Sequence, residues 1–167
     1  MNEQELARQL VELLTQKGLT CATAESCTGG LVAAAITGVS GASAVFAGGA
    51  VTYNNAMKRL FACVKGNTIT EFSAVSPQVA AQMAAGIRQK TGVQLAVSTT
   101  GNAGPLPSEG KPVGMVFVAV DSPWFSQAVQ LPQPAPSANR EEIRRQTVML
   151  ALQQLLLAAG QCPNTNC

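Results

Sequence analysis

A hydroxyl, a thiol and a second hydroxyl stand in a row at Ser26, Cys27 and Thr28, followed at once by Gly29 and Gly30. The glycines let a backbone approach a ligand closely. An apolar run, Leu31 to Ile36, reads as a helix whose unpaired N–H groups and partial positive charge would face an anion or a developing oxyanion. Two readings of Ser26 follow from the residues alone. It is a nucleophile at the positive end of a helix, or it shares with Thr28 the ordinary work of capping that helix. A second pair lies at Tyr53 and Lys58, five residues apart, where a strand end would put a phenol and the next helix an amine on one cleft. The competing reading is an exposed lysine and a tyrosine packed on a sheet.

The chain of 167 residues has no histidine. A Ser-His-Asp or Cys-His arrangement is therefore excluded, as is a histidine-ligated catalytic metal, and a base for Ser26 has to be Lys, Tyr, Asp or Glu. The five cysteines, at 21, 27, 63, 162 and 167, are odd in number and lack a Cys-x-x-Cys spacing, which points to reduced thiols and a cytoplasmic location. A net charge of +2, with its basic residues scattered apart from Arg140, Arg144 and Arg145, does not make a nucleic-acid surface. A small anionic ligand fits this charge better than a polyanion. The polar start Asn2-Glu3-Gln4-Glu5 is not a targeting signal, and no apolar run is long enough to span a bilayer.

The elements that must position these groups are legible from periodicity. Hydrophobic residues make up 47% of the chain but aromatics only 4%, as in a core of Ala, Val, Leu and Ile where helices cover an open sheet. Leu6, Leu10, Leu13 and Leu14 mark a covering helix over Glu5 to Lys17, stopped by Gly18. Thr20 to Ala24 predicts a buried strand, Ala44 to Tyr53 a second one interrupted by Gly48-Gly49, and Asn54-Asn55 caps a helix with Ala56, Met57, Leu60 and Phe61 inward. Ser76-Pro77 opens a helix ending at Thr91-Gly92. Leu95 to Thr99 and Gly114 to Val120 read as buried strands, Ser126 to Leu131 as an edge strand. Between the first two lies a turn-rich loop, Thr100 to Pro112, leaving a buried strand end where α/β sheets bind ligands. Arg140 to Ala159 is a long helix whose far end is apolar almost all round, either buried or a subunit contact. The expectation is a single α/β domain over 1–160, with 161–167 as a frayed tail.

Taken in order, Ala24-Glu25-Ser26-Cys27-Thr28-Gly29-Gly30, Val51-Thr52-Tyr53-Asn54 with Lys58, Ala74-Val75-Ser76, Thr100-Gly101-Asn102-Ala103-Gly104-Pro105, Lys111-Pro112-Val113-Gly114 and Arg140 to Gln146 resemble the CinA C-terminal domain family. The resemblance covers nearly the whole chain. It implies a three-layer α/β/α sandwich with a mixed sheet, in the stand-alone form because no upstream module precedes Met1. It implies an activity too, hydrolysis of the carboxamide of nicotinamide mononucleotide to nicotinate mononucleotide and ammonia, without cofactor or metal. Carried over by residue, it makes Ser26 the nucleophile with Tyr53 and Lys58 beside it, and has Thr100 and Arg140 complete the site. The amides of Cys27, Thr28, Gly29 and Gly30 are then the candidate oxyanion hole, and Gly101 to Gly104 with Arg140 the phosphate cradle. Cys27 reads as structural, Arg144 and Arg145 as surface and packing residues, and Glu25 either orients Lys58 or satisfies backbone donors. Three departures stand out: Asn102 where the family carries a hydrophobic residue, the short 106–110 loop with few glycines, and Ala138 in place of a glycine. They motivate the alternative of a non-catalytic nucleotide-binding or sensing relative. The ligand in either case is an anionic mononucleotide, with no nucleic acid and no membrane, and a homo-oligomer is left open for the chain.

Overall fold

The computed structural model describes residues 1–163; residues 164–167 of the expected tail lie outside it. Five strands, β1 (Cys21–Glu25), β2 (Phe46–Val51), β3 (Leu95–Gly101), β4 (Val116–Asp121) and β5 (Ser126–Gln130), form one sheet in the order β2-β1-β3-β4-β5. β1 runs parallel to both β2 and β3, whereas β4 and β5 continue the sheet antiparallel. Helices α1 (Glu3–Lys17), α2 (Leu31–Thr37) and α6 (Arg140–Gly160) cover one face. Helices α3 (Asn55–Ala62), α4 (Gly66–Phe72) and α5 (Pro77–Thr91) cover the other, completing three layers.

Strand alternation assigns side chains to the layers. Cys21, Leu95 and Val97 face the core with Leu6, Leu10, Leu14, Ile36, Leu152 and Leu155. Ala22, Ala24 and Ala96 point the other way, and their small size lets α5 settle close with Val79, Met83 and Ile87. Each buried leucine contributes about 1.5–3 kcal/mol of transfer free energy, so both layers are held mainly by aliphatic burial. The far end of α6 is accounted for inside the chain: Ala151, Leu152, Leu155 and Ala158 are buried, while Leu157 stays partly exposed. Among the described residues, no helix is long and apolar enough to cross a membrane.

Local chemistry sets the boundaries. Asn2, Asn54, Ser76 and Asn139 cap α1, α3, α5 and α6 with their side chains, and Pro77 occupies the first turn of α5. The expected strand from Ala44 shortens to Phe46–Val51, because Ala42–Ala44 forms a 3₁₀ turn. Gly49 of the Gly48-Gly49 pair reflects a neighbouring strand: a Cβ there would lie 2.1 Å from the Thr23 hydroxyl oxygen, whereas Gly48 has open space and a φ of 146°.

The expected inward face of α3 is corrected. Lys58 and Ala62 are buried, whereas Leu60 and Phe61 are 56% and 44% exposed and Ala56 faces solvent. These two buried positions are four residues apart and share one face of the helix. That face turns toward the strand ends, where the lysine finds oxygen partners. Helix α4 fills a stretch with no assigned element in the sequence reading.

Candidate active site

The carboxyl ends of the parallel strands β1, β2 and β3 open into a cleft of about 420 Å³. Ser26 follows β1, Tyr53 and Lys58 follow β2, Thr100 and Gly101 end β3, and Arg140 begins α6; with Cys27 and Gly104, all line this cleft. The connection leaving β1 runs to α2 on one face, and that leaving β2 runs to α3 on the other. The strand ends diverge there as at other ligand crevices of α/β sheets.

Lys58 is only 2% exposed, yet it is fully provided with polar partners. Its Nζ donates to the Thr52 carbonyl at 2.8 Å and the Tyr53 carbonyl at 3.4 Å, and lies 3.0 Å from Ser26 Oγ. Two carbonyls thus take two hydrogens, and the third position of the nitrogen faces the serine. In the neutral amine that position is a lone pair, ready to accept the Ser26 proton. Burial lowers the Lys58 pKa from its usual 10.5, since desolvation penalises the ammonium; Cys27, once its thiol ionises, and the Glu109 carboxylate oppose this more weakly. The Cys27 thiol is pushed up to about 11 chiefly by burial and is therefore protonated at neutral pH.

The turn after β1 is built from both sides. Glu25, buried on the α2 side of the sheet, accepts from the Thr28 hydroxyl at 2.6 Å and from the amides of Gly30, Val32 and Ala33 at 2.8–3.1 Å. Its carboxylate therefore satisfies the N-terminal donors of α2 and makes no bond to Lys58, which resolves its open role. Gly29 and Gly30 adopt φ of 62° and 101°, which a side chain would strain, and Gly29 N–H closes the turn on the Ser26 carbonyl at 3.1 Å.

This bonding corrects the expected oxyanion hole. The Gly29 and Gly30 amides are engaged, and Thr28, Gly29 and Gly30 do not line the cleft. Among the described residues, the amides of Cys27 and Thr28 have no acceptor.

The remaining wall is pinned by side chains. Arg140 Nη1 donates to the Gly104 carbonyl at 2.6 Å and Nη2 to the Tyr53 hydroxyl at 3.1 Å, tying α6 to the ends of β2 and β3. The Tyr53 phenol, 61% exposed, is thus bonded to Arg140 and not to the amine. The Thr100 hydroxyl donates to the Ala74 carbonyl at 2.7 Å. Gly101 and Gly104 are small for packing reasons: a Cβ on the first would meet Val116 at 2.6 Å, on the second Val113 at 2.7 Å.

Asn102 is a buried organiser of the following loop. Its amide group donates to the Leu106 and Lys111 carbonyls and accepts from Gly104 N–H. Glu109, on the same loop, lines the cleft and accepts from the Ser73 hydroxyl at 3.1 Å. Sequence reasoning missed Asn102 and Glu109 as site-forming residues; the turn formers around them signalled a loop but not its internal bonds. Among the described residues, Arg140 has no carboxylate within ion-pair distance, and no three His, Cys, Asp or Glu gather as metal ligands.

Sheet order, layers and cleft together define a three-layer α/β/α domain with a buried serine–lysine pair at the carboxyl edge of its parallel strands. The chain belongs to the CinA C-terminal domain family, which it matches over residues 3–158. It is 41% identical over 155 residues, 92% of its length, to a CinA-like protein of Acaryochloris marina. Among solved structures, it superposes on the competence/damage inducible protein CihA from Agrobacterium tumefaciens with a TM-score of 0.89 and 42% identity, covering 95% of this chain and 96% of that one. With the competence damage-inducible protein A (ComA) from Klebsiella pneumoniae the TM-score is 0.91 at 30% identity, covering 98% and 100%. The chain spans about a third of the length of the first curated relatives it matches, 30–37% of each.

Proposed function

We propose that this chain is a metal-independent amidohydrolase that converts the carboxamide of nicotinamide mononucleotide to the carboxylate, releasing ammonia. The observation that carries the reading is the 3.0 Å separation of Lys58 Nζ and Ser26 Oγ, with the amine buried and its pKa lowered. Neutral Lys58 takes the Ser26 proton as Oγ attacks the carboxamide carbon. The oxygen of the tetrahedral intermediate accepts from the Cys27 amide, with the free Thr28 amide behind it. Lys58, now an ammonium, returns its proton to the departing ammonia and leaves an ester on Ser26. Water, deprotonated by Lys58, then cleaves that ester and frees the serine. Arg140, without a carboxylate partner, is suited to the phosphate, and Tyr53 orients the guanidinium.

Ammonia release from nicotinamide mononucleotide is measured for the wild type, with and without a chelator, beside Ser26→Ala. Release that survives chelation and vanishes in the variant, with its melting temperature retained, is the expected result. Retained activity in Ser26→Ala overturns the nucleophile assignment. No release by the wild type, with the mononucleotide still raising Tm, replaces the enzyme by a binding or sensing relative and directs attention to the 106–110 loop.

A further inference from the structure

Arg144 lies on α6 one turn beyond Arg140, half-buried, and among the described residues its hydrogen bonds go to backbone carbonyls and not to a carboxylate. Nε donates to the Cys27 carbonyl at 3.1 Å and Nη2 to the Thr28 carbonyl at 3.0 Å, linking positions 117 and 116 residues apart. These carbonyls belong to the turn directly after Ser26.

A trans peptide points its C=O and N–H in opposite directions. With the Cys27 carbonyl held toward α6, the Thr28 N–H of the same peptide group must point away from α6. The Ser26 carbonyl is turned into the bend by Gly29 N–H, so the Cys27 N–H must point out of it. These are the two amides left without an acceptor among the described residues. We propose that Arg144 is a positioning residue for the reaction: through the Cys27 carbonyl it fixes the peptide group that carries the Thr28 N–H, and through the Thr28 carbonyl the peptide group whose Gly29 N–H holds the Ser26 carbonyl and so sets the Cys27 N–H that receives the developing oxyanion. This rests on the reading of Ser26 as nucleophile. The rigid fork of a guanidinium spans two carbonyls at fixed separation, whereas a lysine ammonium engages one.

The test uses the full chain with Arg144→Ala and Arg144→Lys, measuring ammonia release, Tm and the rate at which a fluorophosphonate modifies Ser26. Loss of one oxyanion donor costs about 10²–10³ in kcat, so a misaligned pair predicts a fall of about 10²-fold in Arg144→Ala. KM stays within about threefold, because no substrate contact is removed. Added guanidinium ion restores part of kcat, and Arg144→Lys remains at least about tenfold below the wild type. Phosphonylation slows in parallel, since the phosphonyl oxygen enters the same hole.

A kcat in Arg144→Ala within about threefold of the wild type overturns the proposal, as does a rise in KM equal to the fall in kcat, or no recovery with guanidinium in a folded variant. Should Arg144→Ala not fold, wild-type kcat in Arg144→Lys overturns it. A wild type that releases no ammonia defeats the substrate assignment alone; the phosphonylation rates then decide the role of Arg144, and equal rates in wild type and variants overturn it.

Discussion

Replacing Lys58 by Met separates the chemical role of the amine from its structural one. The buried ammonium is held away from water with two carbonyls and a hydroxyl as its partners, and burial lowers its pKa. Met occupies a similar volume without a charge to desolvate. The variant therefore loses the base while keeping the packing. A positioned general base contributes about 10²–10⁴-fold, and among the described residues no other titratable group bonds to Ser26 Oγ, so kcat should fall about 10³-fold or more.

Stability moves the opposite way. The folded pKa lies below the unfolded value near 10.5, so between the two the unfolded chain binds more protons, and unfolding free energy rises with pH by up to about 1.4 kcal/mol per unit. Below the folded pKa the full burden of the buried ammonium remains. The buried Cys21 and Cys27 thiols, pushed up from 9.0 to about 12 and about 11, act the opposite way in both proteins, so the rise should appear in denaturant titrations as the difference between the wild type and Lys58→Met, whose stability at neutral pH is equal or higher. The wild-type kcat/KM for ammonia release should climb with pH up to the lowered Lys58 pKa. A variant that keeps kcat within tenfold of the wild type, or whose stability has the wild-type pH dependence, would refute the account of Lys58 as a desolvated base.

Arg140→Gln removes the cleft cation without a carboxylate partner; a charge-assisted bond is worth about 1.5–3 kcal/mol, so KM for the mononucleotide should rise about 10–150-fold with a smaller change in kcat. Steady-state kinetics check this, and a fall confined to kcat would move the phosphate elsewhere. Gly86→Ala tests how α3 is held: a Cβ there would lie 1.8 Å from the Ala62 carbonyl oxygen, backbone that cannot swing aside. The helices must separate, at about 1–3 kcal/mol, and because α3 carries Lys58, both Tm and kcat should drop; an unchanged Tm would contradict this packing.

The layers were legible because their signals are local and redundant. Strand alternation, the Ser76-Pro77 helix start and the leucine spacing of α1 each read the same way in sequence and in space. The strand-end positions of Ser26, Tyr53 and Thr100 followed from the same pattern. What was not legible depends on contacts between distant segments. The face of α3 could not be chosen from eight residues carrying both an apolar pair and a lysine, since the Thr52 and Tyr53 carbonyls that receive the amine belong to the strand exit. Likewise, nothing in Arg144 or Asn102 as residues distinguishes a surface cation or a loop amide from a clamp. Their partners lie 117 residues away in one case and across a loop in the other.

The position of Glu25 bears on the proposed use of Lys58 as a base in a chain without histidine. A carboxylate beside an amine stabilises the ammonium and raises its pKa, which would cancel the effect of burial. Glu109 on the cleft wall exerts this effect more weakly than burial opposes it; Glu25, buried and immediately before Ser26, would add to it if it faced the amine. The two-residue period of β1 prevents it: Glu25 shares the parity of Cys21 and faces α2, where one hydroxyl and three amides engage its oxygens. Lys58 approaches instead from α3, on the opposite layer, and meets uncharged oxygens. The sheet thus keeps the two charges apart while leaving Ser26, at the end of β1, in contact with the amine. A shift of β1 by one residue would turn Glu25 toward the α3 layer and remove the physical basis for a neutral Lys58.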